Sequence, residues 1–178
     1  MRIRKCVKIE NLSCVECRVF EFPDGNPEEW RGITVFAEVL PDRSPDPAAL
    51  DLLTKAREFA EKTGDKAQLL MIGEGLVEIA RAYFSCGADR VFVYDDPSLQ
   101  KYDEDRYASV LMHFIDNFKP AELNFVQTPR GERLSARVIE GLSAILPFAG
   151  ESFVTENCTA IAESDTSRRG ELVICEIP

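Results

Sequence analysis

The sequence predicts an α/β fold, a doubly wound and mostly parallel sheet with helices on both faces. Short β-prone apolar stretches alternate with stretches of helical periodicity four times between residues 33 and 145, an alternation typical of parallel sheets. Proline, glycine and aspartate mark the change from each strand to its helix. The 178 residues are 45% apolar and 29% charged, which suffices for one domain with a substantial core.

The first strand–helix unit starts with a strand over residues 33–37 and continues through a proline-rich loop. Asp46 is placed to cap the following helix, and Pro47 suits the first helical turn. Gly64 is expected to end this helix in the left-handed conformation. The apolar residues of the helix recur at helical spacing: Ala49, Leu52, Leu53, Ala56, Phe59 and Ala60.

The second and third units follow the same scheme. A strand over residues 68–72 is followed by a glycine-containing turn and by a helix that begins at Leu76 and closes at Gly87. A strand over residues 90–94 is followed by an acidic turn and by a helix over residues 103–118. Turn and cap chemistry explains the aspartates of this region, so no divalent-metal site is expected.

The fourth unit holds the candidate site. A buried strand from Leu123 should stop at Thr128, because a residue before proline is pushed away from the helical conformation. Gly131 is expected to let the backbone turn freely into a helix, whose start presents unpaired N–H groups that favour anions. Three arginines spaced three and four apart share one side of this helix. The candidate anion-binding or docking residues are Thr128, Arg130, Gly131, Arg133 and Arg137.

The position of this turn in the sheet supports a site. Ligands of open α/β sheets bind beyond the carboxyl ends of the strands, where the strand order reverses. If the four strands lie in the order 3-2-1-4, the reversal falls between the first and the fourth, and residues 38–43 face residues 128–131. The alternative interpretation is a solvated helix face, on which Glu132 and Glu140 form weak ion pairs with the arginines.

The two ends of the chain are predicted to differ from this core. Residues 1–31 form a short N-terminal extension, and residues 32–178 form the main domain. Two strand-like stretches near the C-terminus, over residues 153–161 and 172–177, are predicted to form a hairpin that adds strands to the sheet edge or reaches outward.

Charge and composition restrict the function. The net charge of −10 argues against nucleic-acid binding, since nothing offsets the repulsion of phosphates over the whole chain. No apolar run approaches the roughly 20 residues that a membrane span needs. The N-terminus has no apolar signal segment, and six scattered cysteines in a chain of this size are typical of reduced thiols, so the chain is expected in the cytoplasm.

Cysteine and histidine patterns predict neither a metal nor a catalytic site. Cys14 and Cys17 form a C-x-x-C pair with only Cys6 nearby, which is too few thiolates for a tetrahedral metal site or a four-iron cluster. His113 is the only histidine, and a surface or boundary position on the third helix is the favoured interpretation. Catalysis by this chain alone is therefore not expected.

From about Gly32 to Pro178 the chain resembles the N-terminal domain of the electron transfer flavoprotein alpha subunit, a domain of the adenine-nucleotide-hydrolase-like type. Gly131, Leu134 and Arg137 match the family's opening turn. The other matching stretches come in the family's order and lie at residues 33–38, 52–60, 87–97, 119–120, 128–137 and 157–159. The resemblance implies an electron-carrier component that pairs with a beta-like subunit or a flavin domain. It also implies FAD in the family, held mainly by a C-terminal domain that this sequence does not include, so no FAD contact is carried over.

Some members of the family carry a ferredoxin-like segment ahead of this domain, and residues 1–22 are interpreted as a reduced relic of one, without an intact iron–sulfur cluster. Two rival hypotheses remain beside a docking role: a stand-alone module that binds an adenine nucleotide (AMP) or phosphate, and a folded but inactive isolated domain. Self-association into a homo-oligomer is a further expectation, because the missing companion domain would leave surface exposed.

Overall fold

The structure is a computed structural model that describes residues 1–8, 14–21, 29–145, 150–157 and 171–178. All four predicted strand–helix units are present. The elements in chain order are β1 (Arg2–Lys8), β2 (Cys14–Glu21), β3 (Ile33–Phe36), α1 (Pro47–Thr63), β4 (Ala67–Gly73), α2 (Val77–Ser85), β5 (Arg90–Asp95), a 3-10 turn (Pro97–Leu99), α3 (Glu104–Phe118), β6 (Glu122–Val126), α4 (Pro129–Ile145), β7 (Gly150–Asn157) and β8 (Glu171–Ile174).

The described strands form one sheet in the order β7-β2-β1-β6-β3-β4-β5-β8. Six neighbouring strands, from β1 to β8, run parallel, while β2 and β7 are antiparallel to their neighbours. The doubly wound, mostly parallel fold is therefore confirmed. The four core strands lie in the predicted order 3-2-1-4, so the order reverses between β3 and β6.

The predicted C-terminal hairpin is wrong. β7 pairs with β2 at one edge of the sheet, and β8 pairs with β5 at the opposite edge. Leu172 packs against the core on one face of the sheet and Val173 against the core on the other, as in a strand that continues a parallel sheet. Strand propensity identifies such a segment without identifying its partner. The end of the first predicted hairpin strand and the predicted connection at residues 164–170 lie outside the described residues.

Two apolar layers enclose the sheet. Phe36, Phe92 and Phe125 of the strands pack under α3 and α4, while Val35 and Leu69 pack under α1 and α2 on the other face. The buried strands carry apolar groups toward both layers, which explains why their sequences are apolar runs rather than alternating patterns.

The helix ends follow the predicted chemistry. Asp46 accepts a hydrogen bond from the N–H of Ala48 and caps α1, and Gly64 ends that helix with a left-handed φ of 70°. Asp103 caps α3 in the same way. Asp95 accepts from the N–H groups of Gly75 and Leu76 and so holds the turn that precedes α2. The acidic residues of this region thus serve in turns and caps, as the sequence predicted.

The N-terminal extension takes part in the sheet. β1 lies between β2 and β6, and the side chain of Ile3 is fully buried. The boundary at residue 32 and the ferredoxin-like origin of the extension stay predictions. The thiols of Cys6, Cys14 and Cys17 lie outside the described side chains. Within the described residues, no helix has both the length and the apolarity that crossing a bilayer demands.

Candidate functional site at the crevice between β3 and β6

The carboxyl ends of β3 and β6 open a crevice at the point where the strand order reverses. Glu38 follows β3 and Thr128 follows β6, and the hydroxyl of Thr128 donates a hydrogen bond to the carboxylate of Glu38. The same hydroxyl oxygen accepts from the N–H of Gly131, 2.9 Å away, and caps α4. The predicted meeting of residues 38–43 with residues 128–131 is therefore confirmed.

Gly131 is required by a close approach rather than by a turn. A Cβ atom at this position would lie 2.2 Å from the carbonyl oxygen of Val126, far inside contact distance. Gly131 is not one of the described glycines with a positive φ. The prediction that this glycine provides backbone freedom for a turn is therefore wrong. The missing side chain lets the first turn of α4 sit directly against the end of β6.

Arg130 lies in the wall of the crevice. Its guanidinium carbon is 4.4 Å from the centroid of the Tyr102 ring, a cation–π contact. Its Nη1 atom lies 3.7 Å from Oε2 of Glu38, a long ion pair with a carboxylate that is only 13% exposed. Arg130 is thus positioned both by the aromatic ring and by the residue that follows β3.

Arg133 and Arg137 are not among the residues that line the crevice. Arg133 pairs with Glu104 at 3.2 Å, and Arg137 pairs with Asp105 at 3.0 Å and with Glu140 at 2.9 Å. Hydrogen bonds to Glu140 and Asp105 raise the pKa of Arg137 above its ordinary value. The structure therefore brings Thr128, Arg130 and Gly131 together at the crevice, whereas Arg133 and Arg137 fasten α4 to the first turn of α3.

The crevice encloses a cavity of about 240 Å³. The lining comes from the loop after β3, the end of β4, the segment before α3, and the first turns of α3 and α4. The lining residues are Val39, Leu40, Pro41, Arg43, Ile72, Gly73, Glu74, Gln100, Tyr102, Tyr107 and Arg130. The cavity lies where open α/β sheets bind ligands.

Arg43 lines the crevice, and it was not among the candidate site residues, although the sequence placed it in the stretch 38–43 that was expected to face residues 128–131. Its backbone is left-handed, with a φ of 58°, a conformation that costs a non-glycine residue on the order of 1 kcal/mol. Its Nη2 atom donates to the carbonyl oxygens of Glu74 at 2.6 Å and Gly75 at 2.7 Å. The only available signal was its place in a proline-rich loop beside the predicted reversal of strand order.

Tyr102 was also missed, because no motif marks the segment before α3. Its hydroxyl is buried and has no hydrogen-bond partner among the described residues, and burial is the main cause that raises its pKa. The neighbouring Tyr107 differs, since its hydroxyl donates to the carbonyl oxygens of Leu99 at 2.9 Å and Ile72 at 3.2 Å. An unpartnered buried hydroxyl is uncommon and calls for an explanation.

The remaining candidate groups carry no site of their own. His113 is half-buried, as predicted, with its Nδ1 atom 3.1 Å from the hydroxyl of Tyr94. Burial raises the pKa of the Cys175 thiol to about 11, so this thiol is protonated at neutral pH. Among the described side chains, no group of three or more potential ligands could hold a metal ion.

The crevice does not fit a whole FAD molecule. Its volume of about 240 Å³ lies below the roughly 300–1,000 Å³ of pockets that enclose drug-sized ligands, and FAD is larger than such ligands.

The fold and the crevice define a class of protein: an open α/β domain with a ligand-type cavity at the reversal of its strand order. The family model of the electron transfer flavoprotein domain matches residues 33–146. The chain belongs to this family. The matched stretch runs from the first residue of β3 to the end of α4 and includes every residue that lines the crevice.

Curated relatives agree with this assignment. The chain is 31% identical over 140 residues to an electron transfer flavoprotein subunit alpha from Megasphaera elsdenii, covering 79% of this chain and 39% of the relative. It is 36% identical over 109 residues to the LctC subunit of a lactate dehydrogenase (NAD(+),ferredoxin) from Acetobacterium woodii. This match covers 61% of this chain and 26% of the relative. It is 31% identical over 127 residues to an acryloyl-CoA reductase electron transfer subunit beta from Anaerotignum propionicum. This match covers 69% of this chain and 34% of the relative. The chain thus spans between about a quarter and two fifths of the length of these relatives.

Proposed function

We propose that this domain is an alpha-type docking module of flavin-dependent electron transfer, which holds a beta-type subunit or a flavin-bearing domain in place. The observation that carries the proposal is the family match over residues 33–146, which takes in all four strand–helix units. Relatives whose names describe electron transfer subunits support it.

The docking surface is proposed to be the side of α4 that bears Arg133 and Arg137. Their side chains are 58% and 47% exposed, and acidic neighbours on the same surface hold both guanidinium groups in place. Arginine suits the recognition of carboxylates on another protein, and exposed charges of this kind set the rate and specificity of association. Thr128, Arg130 and Gly131 support this surface from beneath by fixing the start of α4.

The flavin is proposed to be bound by the companion unit, because the crevice of this chain is too small for FAD. FAD supplies the electron-carrying chemistry when the companion is present. This chain's own residues would orient that unit. The cytoplasm is the proposed location, a view supported by Cys86 and Cys175, which are free thiols.

Co-expression with a beta-type electron transfer flavoprotein subunit tests the proposal. We expect a complex that survives size-exclusion chromatography and has a measurable dissociation constant by calorimetry. If beta-type subunits and flavin domains all fail to associate with the chain, the docking function is wrong.

A charge reversal tests the surface separately. Arg133→Glu with Arg137→Glu is expected to weaken the complex at least about tenfold, because the arginines would repel rather than attract carboxylates of the partner. Arg81→Glu is the matched control, since Arg81 is 63% exposed and pairs with Glu78 on α2, on the opposite face of the sheet. Equal weakening by the control would place the docking surface elsewhere.

A further inference from the structure

We infer that Cys6 and Cys17 are a redox-sensitive pair, whose oxidation to a disulfide staples the N-terminal extension to the sheet. The inference goes beyond docking, because the bond lies within this chain and needs no partner protein. It rests on the register of β1 and β2, two antiparallel strands in which Cys6 stands directly opposite Cys17. The C-x-x-C motif of the sequence associates Cys17 with Cys14 instead.

The backbone register of this pair meets the spacing that a disulfide requires. Directly opposed residues of an antiparallel pair have Cα atoms about 4.5 or 5.5 Å apart, depending on the hydrogen bonding between them. A disulfide joins residues whose Cα atoms lie about 4.4–6.8 Å apart. Directly opposed residues also share one face of the sheet. Cys6 and Cys17 can therefore be bonded while both strands keep their register.

The pairing of β1 with β6 gives an independent view of the position of Cys6. Ile3 stands beside Leu123 and Cys6 beside Val126. Ile3 and Leu123 belong to the apolar layer under α3 and α4, whereas Val126 belongs to the layer under α1 and α2. The alternation of a strand places Cys6, three residues after Ile3, on the same face as Val126. The register of β1 in the sheet thus agrees with the two apolar layers.

The same register excludes the other pairings of Cys17 within the described strands. Cys14 and Cys17 are three residues apart within β2, and such residues lie on opposite faces of a sheet. Cys14 itself stands opposite Asn157 of β7. Cys175 follows β8 at the far edge of the sheet, beyond β6, β3, β4 and β5. Among the described strands, Cys6 is thus the cysteine that the register pairs with Cys17.

Exchange with a low-molecular-weight disulfide, such as oxidised glutathione, supplies the oxidising step. The thiolate of one cysteine attacks a sulfur of that disulfide and releases one glutathione. The thiolate of the other cysteine then displaces the second glutathione and forms the bond between Cys6 and Cys17. The two cysteines lose two protons and two electrons, which leave as two molecules of reduced glutathione. An excess of reduced glutathione reverses both steps.

The staple fixes the outer strands to the part of the sheet that carries the crevice. β1 lies between β2 and β6, and β7 joins the described sheet through β2. The bond closes a loop over residues 7–16 and so restricts the unfolded chain. Oxidation should therefore stabilise the folded chain.

Tryptic mapping of the full chain identifies the bond after equilibration with oxidised glutathione and quenching by alkylation. Trypsin cuts after lysine and arginine, which places Cys6 in residues 6–8 and both Cys14 and Cys17 in residues 9–18. We expect these two peptides to be joined in the main oxidised product. A single peptide of residues 9–18 that has lost two hydrogens, or no protein disulfide in excess oxidised glutathione, would overturn the inference.

Serine variants connect the bond to stability. Oxidation of the parent chain should raise its melting temperature by about 5 °C or more. The matched control Cys14→Ser should keep both the joined peptides and this shift. Cys6→Ser should lose both, while its reduced form melts within a few degrees of the reduced parent.

Three results would contradict the staple. These are an unshifted melting temperature of the oxidised parent, a shift that survives in Cys6→Ser, and loss of the joined peptides in Cys14→Ser. Binding of a beta-type subunit takes no part in these measurements, so this inference and the docking proposal fail separately.

Discussion

Thr128 donates its hydroxyl hydrogen to the carboxylate of Glu38, and this hydrogen bond ties the start of α4 to the end of β3. The two residues are 90 positions apart in sequence, and each lies two residues after the end of a strand at the reversal of the strand order. The same hydroxyl also caps α4 through the N–H of Gly131. One side chain therefore holds both the residue that follows β3 and the first turn of α4.

Replacing Thr128 tests this double role. Thr128→Val keeps the shape of the side chain but removes both hydrogen bonds, and we expect the free energy of unfolding to fall by about 1–2 kcal/mol. Thr128→Ser keeps the hydroxyl and should lose less than half of that. Urea unfolding of the three proteins measures the difference, and equal stability of the valine and serine variants would contradict the assigned role.

Two glycines of α4 provide a second test. Gly131→Ala would bring a Cβ to 2.2 Å from the carbonyl oxygen of Val126, a backbone clash that should cost about 1–3 kcal/mol. Gly141→Ala is the matched control, because its Cβ would lie 3.4 Å from the flexible side chain of Met112. The control should stabilise the helix by roughly 0.5–1 kcal/mol. The two variants should shift the melting temperature in opposite directions, which thermal unfolding measures. A stabilising Gly131→Ala would contradict the close approach.

Local chemistry made the core of the fold predictable. Asp46, Asp103 and Gly64 cap helices where the sequence places them, while β6 ends at Val126, two residues before the predicted stop at Thr128. Once four strand–helix units are identified, few sheet orders are compatible with right-handed crossovers. The meeting of Glu38 with Thr128 followed from that order.

Contacts between distant segments were not predictable. Helical spacing placed Arg133 and Arg137 on one side of α4, but the acidic first turn of α3 that binds them depends on how two helices pack. The opposite positions of β7 and β8 depend on pairing that strand propensity does not encode. Tyr102 belongs to the crevice only because the chain returns there before α3.

The N-terminal extension offers a third prediction. Ile3 is fully buried against the core under α3 and α4, so Ile3→Ala should lower the free energy of unfolding by about 2–4 kcal/mol. Ile174→Ala is the control, since that side chain is 66% exposed on β8 and should change the stability by less than about 0.5 kcal/mol. Denaturant titration measures both. A neutral Ile3→Ala would show that the extension folds apart from the sheet.

Alkaline pH should destabilise the domain through Tyr83. Burial raises the pKa of Tyr83 to about 12, and its hydroxyl oxygen accepts the N–H of Asp46 at 2.8 Å. An unfolded tyrosine loses its proton near pH 10, whereas the folded one keeps it. Between about pH 10 and 12 the folded state therefore binds more protons than the unfolded state, and the free energy of unfolding must fall as the pH rises.

The variant Tyr83→Phe isolates this contribution. It cannot ionise, so its free energy of unfolding should fall less steeply between pH 10 and 12 than that of the parent, by roughly 2 kcal/mol over that interval. At pH 8 the variant should be less stable by about 1–2 kcal/mol, because the buried N–H of Asp46 loses its acceptor. Urea unfolding at pH 8, 10 and 12 measures both effects. Ionisation of Cys175 also lowers the free energy of unfolding between about pH 9 and 11, but it does so equally in both proteins. Parallel pH profiles of the two proteins would therefore contradict the protonated, buried state of Tyr83.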